Sequence, residues 1–343
     1  MALHVSRKRF DQLGDRELTA WLRLFPEDAL SASLFMHPEF CRAAHQTLGP
    51  VDVVVMEDAR RTVGVVPLHR ATGWRGLLRG YTQVAQDVSD GFCFPVEGAY
   101  LHGVAHALAR AGVWSGFFTH VGTGRPVAHC EVGSVTKTYV VNHQPGEPDL
   151  WTALKERSRR FWSDTQRCAR RLNELPGAYQ FHWQSPNPAR DLDTLIRLKL
   201  DQYARTGKAG AALCQADHQA FLKALVSSQG GGFSAPLSVL YQGEALVAAH
   251  LGLLGGGRLH YWFPVYEPGY AKYSPGKVLL AEIMKRSDGL GIQAIDFGEG
   301  HADYKEAVAS ETHELAKVVM APGLGGAVSM LPLRWQWRVR RRA

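Results

Sequence analysis

The stretch 258–305, RLHYWFPVYEPGYAKYSPGKVLLAEIMKRSDGLGIQAIDFGEGHADYK, is the part of the chain that decides its fold. It begins with an apolar, strand-like run at 258–266 and passes through a loop into a helical run at 275–288. A second strand-like run at 293–297 follows, and then a helical segment at 302–309. This order of strand, loop, helix and strand predicts an α/β fold for the second half of the chain.

The ends of the predicted helix at 275–288 carry residues that are typical of helix boundaries. Ser274 is predicted to be its N-cap, and Pro275 occupies the first helical position. Gly289 stands where a left-handed residue closes many helices. The loop before the helix, 270–277, therefore leads directly into a helix N-terminus.

A helix N-terminus attracts phosphate through its free backbone N–H groups and its dipole. Lys272 and Lys277 add positive charge to the loop, and Gly276 permits a close approach of the backbone. The alternative is an ordinary capped helix that starts with proline. The strand before the loop and the turn at 296–300 after the next strand favour the binding site, because together they frame a cleft.

The remaining elements are predicted on both sides of a linker at 142–149, which is rich in proline and glycine. A helix at 150–172 carries an apolar stripe on one face and arginines on another. The other predicted helices are 15–24, 38–48, 101–111, 192–205 and 217–227, and the other predicted strands are 51–56, 63–68, 114–121, 137–141, 179–183, 237–241, 245–254 and 315–320.

The composition indicates a globular, enzyme-sized chain with room for two lobes, since 45% of its 343 residues are hydrophobic and 21% are charged. It has neither an apolar run long enough to span a membrane nor a signal-peptide core, so a cytoplasmic location is expected. Five cysteines without C-x-x-C spacing indicate neither a disulfide framework nor a zinc site, and no metal is expected.

The net charge of +7 is concentrated in two segments, 155–171 and 334–342, which carry +5 each. The rest of the chain is mildly acidic, so the sequence predicts two local anion-binding patches and no specific nucleic-acid surface. The tail at 331–342 combines Trp335 and Trp337 with five arginines, which suits peripheral contact with an anionic membrane at its inner face. A frayed, solvated terminus is the alternative.

The order of elements from 258 onward resembles the second half of a GNAT (Gcn5-related) acyltransferase domain. The segment 266–276, Gly291, the turn DFGEG at 296–300 and Tyr304-Lys305 resemble the Fem-like branch, described as BioF2-like or cellulose-biosynthesis-type acetyltransferases. The arginine-rich segment at 151–172 resembles the same branch. The chain has one glycine, Gly276, where ordinary GNAT enzymes have a glycine-rich loop.

This resemblance implies an α/β (α+β) fold of two tandem GNAT-like lobes, each a mixed, largely antiparallel sheet flanked by helices. The expected domains are an N-terminal lobe with a degenerate donor site at 1–145, an acyltransferase lobe at 146–325 and a basic tail at 326–343. Acetyl-CoA is the expected acyl donor, and the loop residues Lys272, Ser274, Gly276 and Lys277, with Tyr261 on the preceding strand, are expected to bind it.

Acyl transfer needs a base for the acceptor, hydrogen-bond donors for the carbonyl oxyanion and an acid for the leaving thiolate. Tyr304 is predicted to be the acid, and a neighbouring Lys305 ammonium would lower the pKa of its phenol or hold the acceptor. Asp296 and Glu299 are the candidates for the base, and Lys305, His260 and His301 are further candidates for acid or base. Half-buried packing is the alternative for Tyr304, and a merely structural histidine is the alternative for His260, which lies on a strand.

The acceptor is expected to be a small molecule or glycan, namely a sugar or an envelope or exopolysaccharide precursor. The residues predicted to bind it are Arg157, Arg160, Arg167, Lys199 and Tyr203. Two alternatives to acyl-CoA-dependent N- or O-acyl transfer stay open: aminoacyl-tRNA-dependent transfer to a peptidoglycan precursor, and a catalytically silent adaptor in a polysaccharide synthesis complex.

Overall fold

The computed structural model describes residues 3–25, 33–59, 61–123, 128–143, 146–147, 149–207 and 212–322. The basic tail and its predicted membrane contact lie outside these residues. The helices are α1 (Asp15–Leu24), α2 (Pro38–Thr47), α3 (Gly73–Leu77), α4 (Gly98–Leu101), α5 (Val104–Arg110), α6 (Leu150–Arg157), α7 (Arg159–Asn173), α8 (Pro188–Arg205), α9 (Ala216–Ser227), α10 (Pro275–Lys285) and α11 (Asp303–Val308).

The strands alternate with these helices along the chain. They are β1 (His4–Arg9), β2 (Val51–Glu57), β3 (Thr62–Arg70), β4 (Gly80–Thr82), β5 (Ser115–Gly122), β6 (Cys130–Asn142), β7 (Tyr179–His182), β8 (Gln229–Gly230), β9 (Phe233–Ser234), β10 (Leu237–Gln242), β11 (Ala245–Gly255), β12 (Arg258–Tyr266), β13 (Ala294–Glu299) and β14 (Glu311–Met320). Within the described residues, no helix is long and apolar enough to cross a membrane.

The chain forms two compact units. The first contains Met1–Lys137 and His313–Ala343, and the second contains Thr138–Thr312. The unit boundaries fall inside β6 and β14, whereas the sequence analysis places its domain boundaries at 145/146 and 325/326. Proline and glycine mark the stretch after β6, but the chain already leaves the first unit within that strand.

In the first unit the strand order is β1-β2-β3-β4-β5-β14. The β1–β2, β2–β3, β3–β4 and β5–β14 pairs are antiparallel, and β4 and β5 are parallel. The apolar runs of β2 and β3 are buried on both faces, from Val51 to Leu68, which explains why neither run alternates with polar residues.

In the second unit the order is β6-β13-β12-β11-β10-β7, with the short β9 paired to β11. Here β12 and β13 are parallel, and the other named neighbours are antiparallel. Leu259, Ile295 and Phe297 on the sheet pack with Leu154 and Leu172 from α6 and α7 in one core cluster. The predicted fold class, mixed and largely antiparallel sheets flanked by helices, is confirmed.

Predicted elements with strong local signals are confirmed. Helix α1 has the predicted bounds, β2 and β3 form the predicted hairpin, and β12 spans the predicted residues. Strands β10 and β11 also form the predicted hairpin, in which Gln242 pairs with Ala245 across a tight turn. Gly243 adopts a φ of 58° in that turn, which favours glycine.

The single helix predicted at 150–172 is wrong, because it divides into α6 and α7 at Ser158. Ser158 has φ −120° and ψ 44°, outside the helical region. Its hydroxyl donates a hydrogen bond to the carbonyl of Ala307, 2.6 Å away. A serine whose side chain bonds a distant carbonyl competes with the helical backbone pattern, which explains the break.

Two predicted helix ends also differ from the structure. Helix α10 ends at Lys285, and the left-handed residue is Gly291, with φ 65°, at the end of a short 3₁₀ turn. Gly289 lies within that turn. The helix predicted at 101–111 is interrupted at Gly103, which separates α4 from α5.

Candidate functional site

The candidate site lies where the parallel strands β12 and β13 separate. They pair at three positions, Arg258 with Ala294, Leu259 with Ile295 and His260 with Asp296, and the pairing ends there. Beyond this point the facing backbone groups of the two strands are not joined to each other. An extended ligand can occupy such a gap and bond the backbone as an added strand would.

A polar cluster surrounds Asp296 at the last paired position. Thr138 on β6 donates its hydroxyl proton to Asp296 Oδ1 over 2.7 Å, and the N–H of Gly298 reaches the same oxygen at 2.9 Å. The other oxygen, Oδ2, lies 3.4 Å from Arg258 Nη1 and 3.6 Å from His260 Nδ1. Four groups on three strands, β6, β12 and β13, thus converge on one carboxylate.

The cluster keeps Asp296 ionised. Burial alone would raise the pKa of this carboxyl, but the hydrogen bond and charge of His260, the charge of Arg258 and the Thr138 hydroxyl together hold it well below its usual range. Its two oxygens are occupied by four partners, so the geometry favours Asp296 as a group that holds His260 in place. The sequence analysis placed Asp296 among the candidate bases.

His260 is 5% exposed. His250 on β11 is fully buried and stacks on Tyr261, with 4.0 Å between ring centroids. Burial lowers the pKa of His250 well below its usual value, and the charges of His260 and Lys199 lower it further. His250 is therefore neutral at physiological pH, and His260 is the imidazole that faces a carboxylate.

Tyr304 on α11 lies beside the gap. Its ring packs edge-on against Phe297, with 6.0 Å between centroids, and Phe297 packs in the same way against Tyr261 at 5.7 Å. Burial raises the pKa of Tyr304 to about 12. The phenol therefore holds its proton at neutral pH and can donate it.

Lys305 has a different role from the one that its position beside Tyr304 suggests. Its ammonium group is 9% exposed and donates to the carbonyls of Gly298 at 3.3 Å and Glu299 at 2.9 Å. The prediction that it lowers the pKa of the Tyr304 phenol is not supported, since burial raises that pKa and Lys305 is bound to the turn. Lys305 thus fixes the turn that follows β13.

The remaining two predicted catalytic residues lie farther toward solvent. The Glu299 side chain is half-buried, and its backbone carbonyl accepts the hydrogen bond from Lys305. The His301 side chain is 65% exposed and lies 3.1 Å from Glu306 and 3.8 Å from Asp303. Of the five predicted catalytic residues, Asp296, Tyr304 and Lys305 are those that the fold brings to the end of the strand pairing.

The predicted donor loop leads into α10 with an unusual residue at the helix start. Ser274 is the N-cap residue, as predicted, but it adopts a left-handed conformation, φ 49° and ψ 52°, and its side chain makes no capping hydrogen bond. Non-glycine residues in this conformation are strained, and such strain is concentrated at functional sites. A Cβ built on Gly276 would meet only Tyr266 Cδ1, at 3.8 Å, so the space beside this glycine is open.

The arginine-rich helix α7 lies beside this loop, because α7 and α10 pack together in the second unit. Lys277 forms an ion pair of 3.2 Å with Asp164 on α7, and Asp164 also bonds Arg167 at 2.6 Å. The guanidinium group of Arg171 lies 5.6 Å from the ring centroid of Tyr273. The positive charge of α7 thus flanks the donor loop, on which Lys272 also lies.

The other predicted acceptor-binding residues occupy two places. Arg157 pairs with Glu147 at 3.5 Å, and Arg160 is exposed on α7. Lys199 on α8 is 8% exposed, donates to the carbonyl of Pro264 on β12 at 3.3 Å and lies 5.4 Å from the ring centroid of Tyr203. Lys199 therefore reaches the strand that borders the gap, and the Tyr203 ring lies beside its ammonium group.

Arg258 and Thr138 were not predicted as site residues, and His260 was a candidate acid or base with a structural histidine as the alternative. Alternation along β12 puts Arg258 and His260 on the same face, which is a signal that the sequence contains. Thr138 offered no such signal, since its partner Asp296 is far along the chain. Among the described residues, no group of histidine, cysteine and carboxylate side chains forms a metal site.

Comparisons with known proteins agree with this geometry. Residues 158–306 match the model of the Acetyltransferase (GNAT) domain family. The structure of FemX superposes with a TM-score of 0.63 at 10% sequence identity, covering 92% of this chain and 97% of FemX. No curated protein sequence matches the chain significantly.

Two further solved structures share the fold. One is the C-terminal domain of a putative lysylphosphatidylglycerol synthetase from Agrobacterium fabrum, with a TM-score of 0.54, 10% identity and coverage of 92% of this chain and 95% of that chain. The other is L-PGS from Bacillus licheniformis, with a TM-score of 0.54, 12% identity and coverage of 94% and 96%. At these identities the likeness concerns the fold alone.

Proposed function

We propose that this protein is an acyl-CoA-dependent N- or O-acyltransferase, with acetyl-CoA as donor and a sugar or an envelope or exopolysaccharide precursor as acceptor. The observation that carries the proposal is the separation of β12 and β13 after three paired positions, beside the strained start of α10. The match of residues 158–306 to the GNAT acetyltransferase model supports the acetyl group.

The residues at the start of α10 fit a pyrophosphate. Helix α10 is 11 residues long, so its dipole is developed, and its first turn contains no acidic residue. Gly276 presents open space, and Lys277 and Arg167 lie beside it. Acetyl-CoA, when bound, supplies an activated thioester, and the chain supplies the position and the proton transfers.

The residues around the gap divide the proton transfers between them. His260, held by Asp296 from the neighbouring strand, takes the proton of the acceptor's amine or hydroxyl. Tyr304, neutral because its burial raises its pKa to about 12, donates a proton to the departing thiolate. Backbone N–H groups of β12 beyond His260 stabilise the carbonyl oxygen as its charge develops.

The acceptor lies on the side of β12 that α8 borders. Lys199 contacts the Pro264 carbonyl of this strand and lies close to the Tyr203 ring, so the two side chains present a cation and an aromatic face together. Aromatic faces and a hydrogen-bond donor suit a sugar ring that carries hydroxyl or amine groups. Arg157 and Arg160 extend the positive surface of this unit toward an acidic glycan.

Thermal unfolding with acetyl-CoA tests the donor. Ligand at about 100 times its Kd stabilises the folded state by roughly 2.7 kcal/mol, which raises the melting temperature by several degrees. Gly276→Val places a branched side chain where phosphate approaches and meets only Tyr266, so it should abolish this rise while the variant stays folded. Gly98→Val is the matched control, because Gly98 also faces open space, in the first unit.

An unchanged rise in Gly276→Val would place the donor elsewhere. No rise in the parent protein would contradict acyl-CoA as donor and would direct attention to aminoacyl-tRNA or to the silent adaptor. The structural likeness to FemX supports the Fem-like fold, and the distinction between donors rests on this measurement.

A further inference from the structure

One edge of the first unit exposes large apolar side chains. Leu77 is 81% exposed, Leu78 is 41% exposed and Trp114 is 41% exposed. Leu77 and Leu78 lie just before Arg79 and β4, and Trp114 directly precedes β5. Because β4 and β5 are parallel neighbours, with Gly80 opposite Ser115, these three side chains lie at the same end of the sheet.

Backbone and side-chain contacts hold this edge together. The N–H of Trp114 donates to the carbonyl of Arg79 over 3.1 Å, and the Arg79 guanidinium group lies 4.6 Å from the centre of the Trp114 ring. Arg79 lies in the turn between α3 and β4 and adopts a left-handed conformation there, with φ 53°. The apolar groups are therefore presented by a defined turn.

Three guanidinium groups border these apolar side chains. Arg79 and Arg7 both approach Gly112, since a Cβ on that glycine would lie 3.5 Å and 3.7 Å from their Nη1 atoms. Arg70 donates its Nε–H to the carbonyl of Gly76, 3.1 Å away. One carboxylate, Asp52, lies 3.9 Å from Arg7, so cations exceed anions among these groups.

We propose that this surface, formed by Leu77, Leu78, Trp114 and the three arginines, binds the surface of an anionic lipid bilayer. A lipid interface accepts leucine and tryptophan side chains at the depth where headgroup phosphates meet guanidinium groups. A nucleic acid satisfies the arginines but leaves the leucines in water. The surface consists of residues of the first unit and shares none with the acyl-transfer site or with the tail at 331–342.

The arginines and the apolar side chains of the surface contribute separately to membrane binding. Each cation is attracted to the negative surface of an anionic membrane. Burial of apolar area adds to the binding, and Leu77 has most of its side chain available for it. The binding is therefore expected to depend on both anionic lipid and the leucines.

Flotation of the full-length protein with lipid vesicles tests the proposal. The vesicles contain either equal parts of phosphatidylglycerol and phosphatidylcholine or phosphatidylcholine alone. The protein should float with the anionic vesicles, and the double variant Leu77→Gln/Leu78→Gln should bind them at least about fivefold more weakly. Arg79→Gln should weaken binding to anionic vesicles to a smaller degree.

The matched control is Val132→Gln/Val135→Gln, since these valines are also exposed, by 51% and 47%, but lie elsewhere on β6. It should float like the parent protein, and any binding through the tail persists equally in both double variants. Equal flotation of the two double variants would overturn the proposal. So would binding that is insensitive to the leucines but displaced by RNA, which would identify a nucleic-acid surface.

Discussion

Both units contain a parallel strand pair of the same kind, but they differ in what occupies the space beyond the paired positions. Each has a parallel strand pair joined at three positions, Gly80–Thr82 with Ser115–Phe117 in the first unit and Arg258–His260 with Ala294–Asp296 in the second. In the second unit the strands then separate beside a strained helix start. In the first unit the chain itself fills the corresponding space.

The first unit closes its gap with Gln83, the residue that follows β4. Its Oε1 accepts the backbone N–H of Thr119 on β5 at 2.6 Å, and its Nε2 donates to Ser89 Oγ at 2.9 Å. The Phe92 N–H then donates to the carbonyl of His120 at 3.2 Å, and the Phe92 ring stacks on Phe118. The Thr119 N–H and the His120 carbonyl of β5 are thus bonded within the first unit.

A parallel strand pair by itself therefore does not provide a ligand site. In the first unit, the Gln83 side chain and the Phe92 backbone bond groups of β5 beside the gap. The second unit differs in the polar cluster around Asp296 and in the helix α10, which has 11 residues against seven in α5. We therefore place the acyl transfer in the second unit.

The largest effect is expected from Tyr304→Phe, which removes one hydroxyl and keeps the ring against Phe297. Turnover should fall by roughly 10²–10⁴-fold, the usual contribution of positioned acid catalysis, with little change in acetyl-CoA affinity. Thiol release from acetyl-CoA with glucosamine as the probe acceptor measures this. Parental turnover across pH 6–9 would assign Tyr304 to packing.

The next largest effect is expected from Asp296→Asn. The variant leaves the buried Arg258 without its carboxylate, and breaking a buried pair costs about 3–5 kcal/mol of unfolding free energy. Because the pKa of Asp296 is lowered in the folded state, its contribution is complete above the unfolded-state pKa, near 3.9, and is lost as pH falls through the folded-state value.

Urea unfolding from pH 3 to pH 7 measures the difference in unfolding free energy between the parent protein and Asp296→Asn. This difference should become smaller toward pH 3. Asp201→Asn is the control, since the side chain of Asp201 is 58% exposed and its pair with Arg197 contributes little. A stability loss in Asp296→Asn no greater than that of the control would show that the cluster does not hold the strands.

In the first unit, Gln83→Ala removes the acceptor of the buried Thr119 N–H. An unsatisfied buried donor costs about 1–3 kcal/mol, so the melting temperature should fall. The rise in melting temperature that acetyl-CoA produces should be the same as in the parent protein. Loss of that rise would mean that the first unit takes part in donor binding.

The smallest effect is expected from Lys277→Met at the donor loop. This lysine is 39% exposed and already pairs with Asp164, so its contribution to a bound phosphate is screened. Acetyl-CoA affinity should fall by about two- to fivefold at low salt, which corresponds to the usual 0.3–1 kcal/mol for a charge near a helix end. The difference should diminish at high salt, as titrations at two salt concentrations would show.

Sequence patterns predicted the fold well wherever the signal was local. Proline at the start of α10 and the Gly243 turn between β10 and β11 mark boundaries that neighbouring residues determine. The break at Ser158 could not be predicted, because its cause is the carbonyl of Ala307. Strand β4 was missed because three residues carry too little periodicity to distinguish a strand.

The candidate site likewise contains residues that local motifs predict and residues that only the fold brings together. Tyr304 and Gly276 were predicted because they lie in motifs along the chain. The partners of Asp296 lie on β6 and β12, and only the register of these strands brings Thr138 and Arg258 to it. The filling of the first unit's gap by Gln83 likewise depends on its contact with Thr119, 36 residues later.

Calorimetric titration with acetyl-CoA counts how many of the two similar strand gaps bind the donor. We infer that one does, the gap between β12 and β13. The parent protein and Gln83→Ala should each bind one acetyl-CoA per chain, and Gly276→Val should bind none. Two molecules per chain in the parent protein, or one in Gly276→Val, would contradict the account.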